Sequence, residues 1–271
     1  MPMILETRTV EKVWGRDRLP APFSTPDGQR IGEVWFEPPA ALDGLLVKYI
    51  FTSEKLSVQC HPSDEQTRAM GLGQRGKEEC WLVVDAEPEA ALGIGFDSPL
   101  DHDALREAAE DGSIEELLTW HQVKAGDFFY IPANTVHVIG PGCTIIEIQQ
   151  NSDITYRLYD YGRPRELHRE EAARIALGER YDLAANSTYV GHESDINLVD
   201  GPFFRLDQLA GGPDAAISAR YRGPLLVIPR EGSVIVEGET VSPGQCALAM
   251  EIDAVQFAET GTCLIAQPMS D

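Results

Sequence analysis

Basic residues are scarce in this chain. Its 271 residues include 22 Lys and Arg against 44 Asp and Glu, which gives a formal net charge of -22 at pH 7. A chain so acidic is poorly suited to nucleic acid or to an anionic membrane as its main partner. If its ligand is itself an anion, a few local cations must recognise it.

Paired cysteines and long apolar runs are also missing. The five cysteines form no CxxC pair, which argues against a disulfide framework and against a thiolate zinc site. No stretch approaches the length needed to cross a bilayer, and the N-terminus lacks the apolar segment of a signal peptide. We therefore expect a soluble, reduced, cytoplasmic protein with no membrane partner.

Short strands separated by turn residues dominate what is present. Apolar, β-branched or aromatic runs end at Gly, Pro, Asp or Asn, which favours a sandwich or barrel over alternating βα units. The clearest runs are "LLVKYIFT", "LSVQCH", "CWLVVDAEP", "AALGIGF", "DFFYIPA", "HVIG" and "TIIEIQQ". Four segments instead predict helices: "SDEQTRAMG", which has the spacing of a capping box, "LDHDALREAAEDG", "SIEELLTWH" and "LHREEAARIALG".

The second half of the chain predicts a second β-unit. Residues 180–200 are polar and weakly periodic, which is typical of a linker or excursion. Beyond them, "VEGETVSPGQCALA" parallels the earlier "VKAGDFFYIPA", and the similarity indicates a duplicated unit. The second copy contains no histidine after His192, so a metal site is expected in the first copy alone.

Two histidines stand at strand or turn positions of the first unit. Gln59 and His61 lie two residues apart, so a strand places both on one face, and His137 follows the turn at Pro132. The other histidines fall in the helical segments and the predicted linker, where surface or capping roles are the usual outcome.

A glutamate at the start of a strongly apolar strand is the third candidate ligand. Glu79 precedes "CWLVV", and a buried carboxylate is costly unless it is paired or coordinated. Strand alternation assigns Glu78 and Glu79 to opposite faces, and the one facing the interior should be the ligand. Imidazole and carboxylate donors suit Zn²⁺, Fe²⁺, Mn²⁺ or Co²⁺, and the residue types alone do not separate these ions.

The motifs around these residues resemble those of a known family. "LSVQCHP", "GKEECW", "PANTVHVIGPG" and "EIQQNSDITYRLYDYGR", with "VWGRDRL", "GEVW" and "LLVKYI" upstream, are similar to stretches of the type I phosphomannose isomerases, which are zinc-dependent cupins. The resemblance runs from about residue 10 to 180 and is looser beyond. The chain is shorter than many relatives, which leaves the elements that close over substrate and the oligomeric contacts open.

The resemblance implies a mainly β fold of cupin (jelly-roll) barrels, a bicupin with a small helical insertion around residues 98–121. A catalytic, metal-binding cupin is expected over 1–180. A linker and a second, degenerate cupin-like domain without metal ligands are expected over 181–271, with a contribution from the N-terminal strands left open. The implied cofactor is one Zn²⁺ in the first cupin.

The resemblance also assigns site residues. It implies the metal ligands Gln59, His61, Glu79 and His137, the same four that the residues themselves bring together. It further implies substrate contacts and catalytic groups at Ser57, Lys77, Glu147, Asp153 and Arg157. The implied reaction interconverts mannose 6-phosphate and fructose 6-phosphate, with a small hexose 6-phosphate as the partner and a monomer as the expected state.

Glu147 is the first choice for the catalytic base. A carboxylate flanked by Ile145, Ile146 and Ile148 is expected to have a raised pKa, and Asp153 is the next candidate. Arg157 and Lys77 are candidates for phosphate or for the enediolate oxygen. Three further cations are weaker candidates for the same roles and are expected instead to be surface charges: Lys48, Arg163 and Arg165.

Large aromatics and cysteines near these motifs are expected to pack in the core. This applies to Trp14, Trp35 and Trp81, and to Cys60 and Cys80 beside the candidate ligands. Three other functions remain open: an isomerase for a different sugar phosphate, an Fe²⁺ cupin of other chemistry, and a non-catalytic sugar-phosphate sensor. A missing base or ligand would mark the sensor, and none is missing.

Overall fold

A computed structural model describes residues 3–269 and confirms a mainly β fold, with 41% strand and 16% helix. The strands are β1 (Thr7–Arg16), β2 (Ile31–Phe36), β3 (Leu45–Phe51), β4 (Val58–Cys60), β5 (Glu79–Ala86), β6 (Ala91–Phe96), β7 (Leu118–Gln122), β8 (Asp127–Ile131), β9 (His137–Ile139), β10 (Cys143–Gln150), β11 (Tyr156–Tyr159), β12 (Ser187–Tyr189), β13 (Ile196–Asp200), β14 (Phe204–Ala210), β15 (Leu225–Glu231), β16 (Val234–Val236), β17 (Glu239–Val241), β18 (Ala247–Ala249), β19 (Val255–Gln256) and β20 (Thr262–Pro268). The helices are α1 (Asp64–Ala69), α2 (His102–Asp111), α3 (Ile114–Leu117), α4 (Arg169–Ile175), α5 (Leu183–Asn186) and α6 (Ala215–Arg220), with 3-10 turns at Ala40–Leu42 and Ile252–Ala254.

Four sheets organise these strands. The first sheet has the order β1-β2-β3-β10-β5-β8-β12, and the second has the order β11-β4-β9-β6-β7. The third sheet, β13-β14-β20-β15-β18, and the fourth, β17-β16-β19, are formed by the C-terminal part of the chain. All the pairings within the sheets are antiparallel.

The central strands of the first sheet are buried on both faces. On β10, Ile145 packs into the core shared with the second sheet, whereas Ile146 and Ile148 pack against residues of the third sheet such as Leu206. Every residue of β10 and of β3 is buried. Double coverage explains why these two strands are nearly continuous apolar runs rather than alternating ones.

Three of the four predicted helices form largely as expected. Ser63 and Gln66 make the predicted capping box of α1, and Gly112 ends α2 with a left-handed φ of 88°. The fourth prediction is wrong in its second half, because "SIEELLTWH" is helical only over α3 and then becomes strand β7. Antiparallel pairing of β7 with β6 outweighs the local helix preference of these residues.

The segment expected to be a linker contains secondary structure. Between residues 180 and 200 lie α5, β12 and β13, and β12 pairs with β8 at the edge of the first sheet. At the other end of the chain, Ile4 bridges Ala247 and the Leu5 amide donates to the Cys246 carbonyl at 2.8 Å. The residues before β1 therefore contact the C-terminal β-unit. Within residues 3–269, none of the helices is both long and apolar enough to span a membrane.

Candidate metal centre and active site

Two facing rows of side chains build the site. On the second sheet, Gln59 lies directly opposite both Arg157 and His137 on the neighbouring strands. On the first sheet, Lys48 is paired with Trp35 on one side and with Glu147 on the other. Cross-strand partners project on the same face of a sheet, so each row presents its side chains together.

Strand β5 completes the first-sheet row and adds a carboxylate. Trp81 pairs with Glu147 across the strands, and Glu79 lies two residues before Trp81, hence on the same face. Glu78 points elsewhere and contacts the Tyr130 hydroxyl. The alternation expected for the two glutamates is thus observed, with Glu79 as the inward one.

His61, Glu79 and His137 form a buried cluster that could hold a metal ion. One potential ligand atom from each residue lies within 4.8 Å of those of the other two. Glu79 Oε2 lies 3.5 Å from His61 Nε2, and Glu79 Oε1 lies 3.3 Å from His137 Nε2. Each of the three residues is at most 2% exposed.

Both histidines direct an unprotonated Nε2 into the cluster. His61 Nδ1 donates to the Ile154 carbonyl and His137 Nδ1 donates to the Thr135 carbonyl, each at 2.9 Å. A carbonyl only accepts, so these bonds fix the proton on Nδ1 in each neutral ring. Burial, followed by the nearby Lys77 ammonium, holds the pKa of His61 well below its usual value. Burial also lowers the pKa of His137, although Glu79 opposes the shift.

The Glu79 carboxylate is only partly paired by the described residues. Lys77 Nζ lies 2.6 Å from Oε2, whereas Oε1 receives no hydrogen bond from them. Burial alone would raise the pKa of Glu79, but Lys77 and other nearby cations outweigh it and lower the pKa. A buried carboxylate oxygen without a hydrogen bond costs about 1–3 kcal/mol. Two neutral imidazoles facing such an anion therefore fit a divalent cation.

Gln59 reaches the same centre. Its Nε2 lies 3.4 Å from His137 Nε2, and its Oε1 accepts a hydrogen bond from Ser57 Oγ at 3.0 Å. Rotation about the last side-chain bond exchanges the amide oxygen and nitrogen. Gln59 can therefore present an oxygen to a bound ion.

A pocket of about 260 Å³ opens beside this cluster. It is lined by Lys12, Trp14, Glu33, Trp35, Lys48, Ile50, Leu56, Ser57, Gln59, Lys77, Glu79, Trp81, His137, Val138, Ile139, Glu147, Asp153, Thr155, Arg157 and Arg165. Five of these residues are Lys or Arg and four are Asp or Glu. In a chain with half as many basic as acidic residues, the pocket is a local concentration of positive charge.

The surroundings of Glu147 differ from those expected. Ile146 and Ile148 lie on the other face, and the carboxylate meets two donors instead. Lys48 Nζ contacts Oε1 at 2.9 Å, and Trp81 Nε1 donates to Oε2 at 3.1 Å. The buried carboxylate is therefore held by two donors rather than surrounded only by apolar groups.

Lys48 is the residue that sequence reasoning ranked too low. It was expected to be a surface charge, but it is 6% exposed, lines the pocket and pairs with Glu147. The signal was present, because a lysine in the middle of "LLVKYIF" is unusual for a buried strand. Burial alone would lower the pKa of Lys48, but Glu147 and then Glu33 outweigh it and raise the pKa.

The other proposed groups occupy the same pocket. Arg157 is half-buried, its Nε makes no hydrogen bond to the described residues, and burial and the neighbouring Arg165 lower its pKa. Asp153 is exposed at the pocket wall. Arg163 and Arg165 were expected to be surface charges, but both are half-buried and pair with the buried carboxylate of Asp160.

The aromatic and cysteine expectations hold in part. Trp14 and Trp81 are buried in the first core, yet both also line the pocket. Trp35 is half-buried, so the expectation of a core residue is wrong for it. Cys60 and Cys80 are fully buried, as predicted.

Comparison with known proteins gives named relatives. No protein-family model matches the chain. Mannose-6-phosphate isomerase ManA of Bacillus subtilis is 36% identical over 215 residues, which cover 73% of this chain and 65% of the relative. Mannose-6-phosphate isomerase of Streptococcus mutans is 38% identical over 191 residues, covering 65% of this chain and 58% of the relative. The matched part thus spans less than two thirds of the length of these curated relatives.

Solved structures share the fold over nearly the whole chain. The mannose 6-phosphate isomerase of Bacillus subtilis superposes with a TM-score of 0.75 at 23% identity, covering 98% of this chain and 99% of that one. A zinc-bound mannose 6-phosphate isomerase superposes with a TM-score of 0.72 at 13% identity, covering the same shares. These findings confirm the resemblance read from the motifs. The chain is a homologue of proteins named mannose-6-phosphate isomerase and has the fold of the phosphomannose isomerases.

Proposed function

We propose that the protein is a metal-dependent aldose–ketose isomerase that interconverts mannose 6-phosphate and fructose 6-phosphate. The observation that carries the proposal is the buried His61–Glu79–His137 cluster, which adjoins a pocket rich in Lys and Arg. The names of the curated relatives support mannose 6-phosphate as one member of this pair. The buried, unpaired cysteines of the described residues agree with work in the reducing cytoplasm.

Zn²⁺ is the proposed ion, held by His61, Glu79, His137 and Gln59. The N/O donor set suits it, and a solved relative of the same fold is zinc-bound. When bound, the ion supplies Lewis-acid polarisation of the sugar oxygens. The four side chains fix where that polarisation acts, because the Nδ1 bonds of both histidines hold the imidazole rings in place.

Arg157 is the proposed anchor for the phosphate. Its guanidinium lies at the pocket wall with Nε free of other bonds to described residues, and its planar fork matches phosphate oxygens. Lys77 lies within 3.1 Å of His61 Nε2 and is placed to donate to the oxyanion that develops in the enediolate. Ser57 orients Gln59 through its hydroxyl and is a further contact for substrate.

Glu147 and Lys48 are the proposed proton carriers. The Glu147 carboxylate takes the proton from C2 of the open-chain aldose, and the electron pair of the broken C–H bond forms the enediolate. The Lys48 ammonium gives a proton to O1 and regains one from O2, and return of the proton from Glu147 to C1 completes the ketose. Asp153 at the pocket wall is the second candidate for the base. Hydride transfer from C2 to C1 gives the same product, and exchange of the migrating hydrogen with solvent separates the two routes.

The test is an isomerase assay on purified protein with mannose 6-phosphate, run as isolated, after chelation and after Zn²⁺ is added back. We expect activity to disappear with the chelator and to return with the ion. His61→Ala and His137→Ala should lose both metal and turnover. His192→Ala is the matched control, because His192 is exposed and pairs with Glu231 in the C-terminal unit.

Two results would overturn the proposal. Metal-loaded protein that turns over no mannose 6-phosphate would exclude this substrate. Turnover of another sugar phosphate would then support an isomerase of different specificity, and tight binding without turnover would support a sensor. Full activity of metal-free protein would exclude a catalytic role for a metal ion at the His61–Glu79–His137 cluster.

A further inference from the structure

A series of side-chain contacts connects Glu33 to Glu147 along the wall of the same pocket. It begins at Glu33, which is 7% exposed, although glutamate is rarely buried without a partner. Trp35 Nε1 donates to Glu33 Oε2 at 2.8 Å, and Lys12 Nζ lies 3.3 Å from the same oxygen. The indole ring of Trp35 is thereby fixed by a charge-assisted hydrogen bond.

The fixed Trp35 ring contacts the Lys48 ammonium. The Lys48 Nζ lies 4.6 Å from the centroid of the Trp35 ring, within the range of a cation–π contact. Lys48 and Trp35 are direct cross-strand partners, so the backbone register also brings them together. On its other side, Lys48 Nζ holds Glu147 Oε1 at 2.9 Å.

This arrangement restricts a side chain that is otherwise flexible. A lysine ammonium is a point charge on a four-carbon stem, and it has no intrinsic directional preference. The Trp35 ring, itself held by Glu33, restricts where the Lys48 ammonium lies. Since Lys48 and Trp81 are the two hydrogen-bond partners of Glu147 among the described residues, they also define where that carboxylate lies.

We propose that Glu33 and Trp35 are positioning residues for the isomerisation: they hold the Lys48 ammonium, and through it the Glu147 carboxylate, at the place where the proton is transferred. Neither residue takes up the proton. The inference rests on the proposed function, because it assigns Glu147 to the step that breaks the C–H bond.

The experiment uses full-length, metal-loaded protein and two pairs of variants. Glu33→Ala removes the acceptor for the indole N–H, whereas Glu33→Gln keeps an oxygen there. Trp35→Leu removes the ring, whereas Trp35→Phe keeps a ring face for Lys48. Glu11→Gln is the control, because Glu11 is an exposed glutamate on the neighbouring strand β1. Metal content and folded fraction are measured for each variant.

We expect Glu33→Ala and Trp35→Leu to lower kcat by about tenfold to a hundredfold, as when an outer partner of a metal ligand is removed. KM for mannose 6-phosphate and metal content should change little. The conservative variants should recover most of the rate. With mannose 6-phosphate deuterated at C2, the isotope effect on kcat should increase in the two damaging variants, because C–H cleavage becomes more rate-limiting. Loss of folded protein alone would lower kcat without changing the isotope effect.

The possible results distinguish failure of the positioning role from failure of the proposed isomerase activity. Active wild type with kcat and isotope effect unchanged in Glu33→Ala and Trp35→Leu would overturn the positioning role and leave the isomerase intact. A change confined to KM would overturn it equally, because Trp35 would then contact substrate only. Wild type that shows no isomerase activity in any metal state would overturn both.

Discussion

The ion pair of Lys48 and Glu147 gives a stability prediction of its own. Both residues are strongly buried, at 6% and 3% exposed, and their charged atoms are 2.9 Å apart. Lys48→Met keeps the length of the side chain but removes the ammonium. Glu147 then remains as a buried carboxylate with Trp81 Nε1 as its donor. Removing one partner of a buried pair typically costs about 3–5 kcal/mol.

The double variant Lys48→Met/Glu147→Gln should behave very differently. No charge remains, and the glutamine oxygen still accepts from Trp81. Replacing both members of a buried ion pair with well-packed apolar groups is often neutral or even stabilising, and this double variant likewise leaves no unpaired charge. We therefore expect the double variant to be more stable than Lys48→Met alone, with a coupling free energy of at least about 2 kcal/mol between the two positions.

The assay is urea unfolding of metal-free protein, with all variants at one pH and ionic strength. Lys55→Met is the control, because Lys55 is also an ion-paired lysine, with Glu115, but its side chain is 40% exposed. Such a pair should contribute less than about 1 kcal/mol. The reasoning about a desolvated pair is wrong if Lys48→Met lowers the free energy of unfolding no more than this control does. It is also wrong if the losses of the two single variants simply add in the double variant.

Three further predictions use other parts of the structure. A Cβ at Gly76 would lie 2.4 Å from the Pro62 carbonyl oxygen, so Gly76→Ala should displace the backbone before Lys77 and lower both kcat and the urea midpoint; unchanged values would contradict this. Arg157→Lys should raise KM for mannose 6-phosphate but leave the rate with unphosphorylated mannose unchanged, because an ammonium cannot form the two parallel bonds of a guanidinium; equal effects on both sugars would exclude a phosphate anchor. Burial lowers the pKa of His121 below its ordinary value of 6.5, so the folded state binds a proton more weakly than the unfolded chain and stability falls as the pH decreases below 6.5. His121→Gln should make the urea midpoint fall less over that range, and an identical fall in both proteins would contradict the assignment.

Strand alternation was the most informative pattern in the sequence. It placed Gln59 with His61 and separated Glu79 from Glu78 without any knowledge of the fold, because the period of two is a property of the strand itself. It gave no reason to rank Lys48 above the other weak candidates, although the same period applies there. Strand β3 is covered on both faces, so the apolar residues around Lys48 gave no indication of which face was the pocket.

Long-range pairing is the second limit. The contact between Lys48 and Glu147 depends on the register of β3 against β10, which are about a hundred residues apart in the chain. No local pattern encodes that register. The same limit explains β7, where "SIEELLTWH" has local helix preference but its later residues pair with β6. Local sequence patterns therefore predicted the type of most elements. The contacts of the site residues depend on pairing between distant strands, which those patterns do not encode.

The two kinds of cation are distributed unevenly, and their chemistry accounts for it. The chain contains five lysines and seventeen arginines, yet three of the lysines line the pocket: Lys12, Lys48 and Lys77. A compact ammonium fits between a carboxylate and a ring or imidazole in a buried site, and it can exchange a proton. Arginine keeps its proton and offers a planar fork, which suits Arg157 at the half-buried wall, where a phosphate would enter. A pocket that merely attracted anions would have no reason to prefer lysine in an arginine-rich chain. The preference therefore favours proton transfer at the buried end of the pocket and anion binding at the open end.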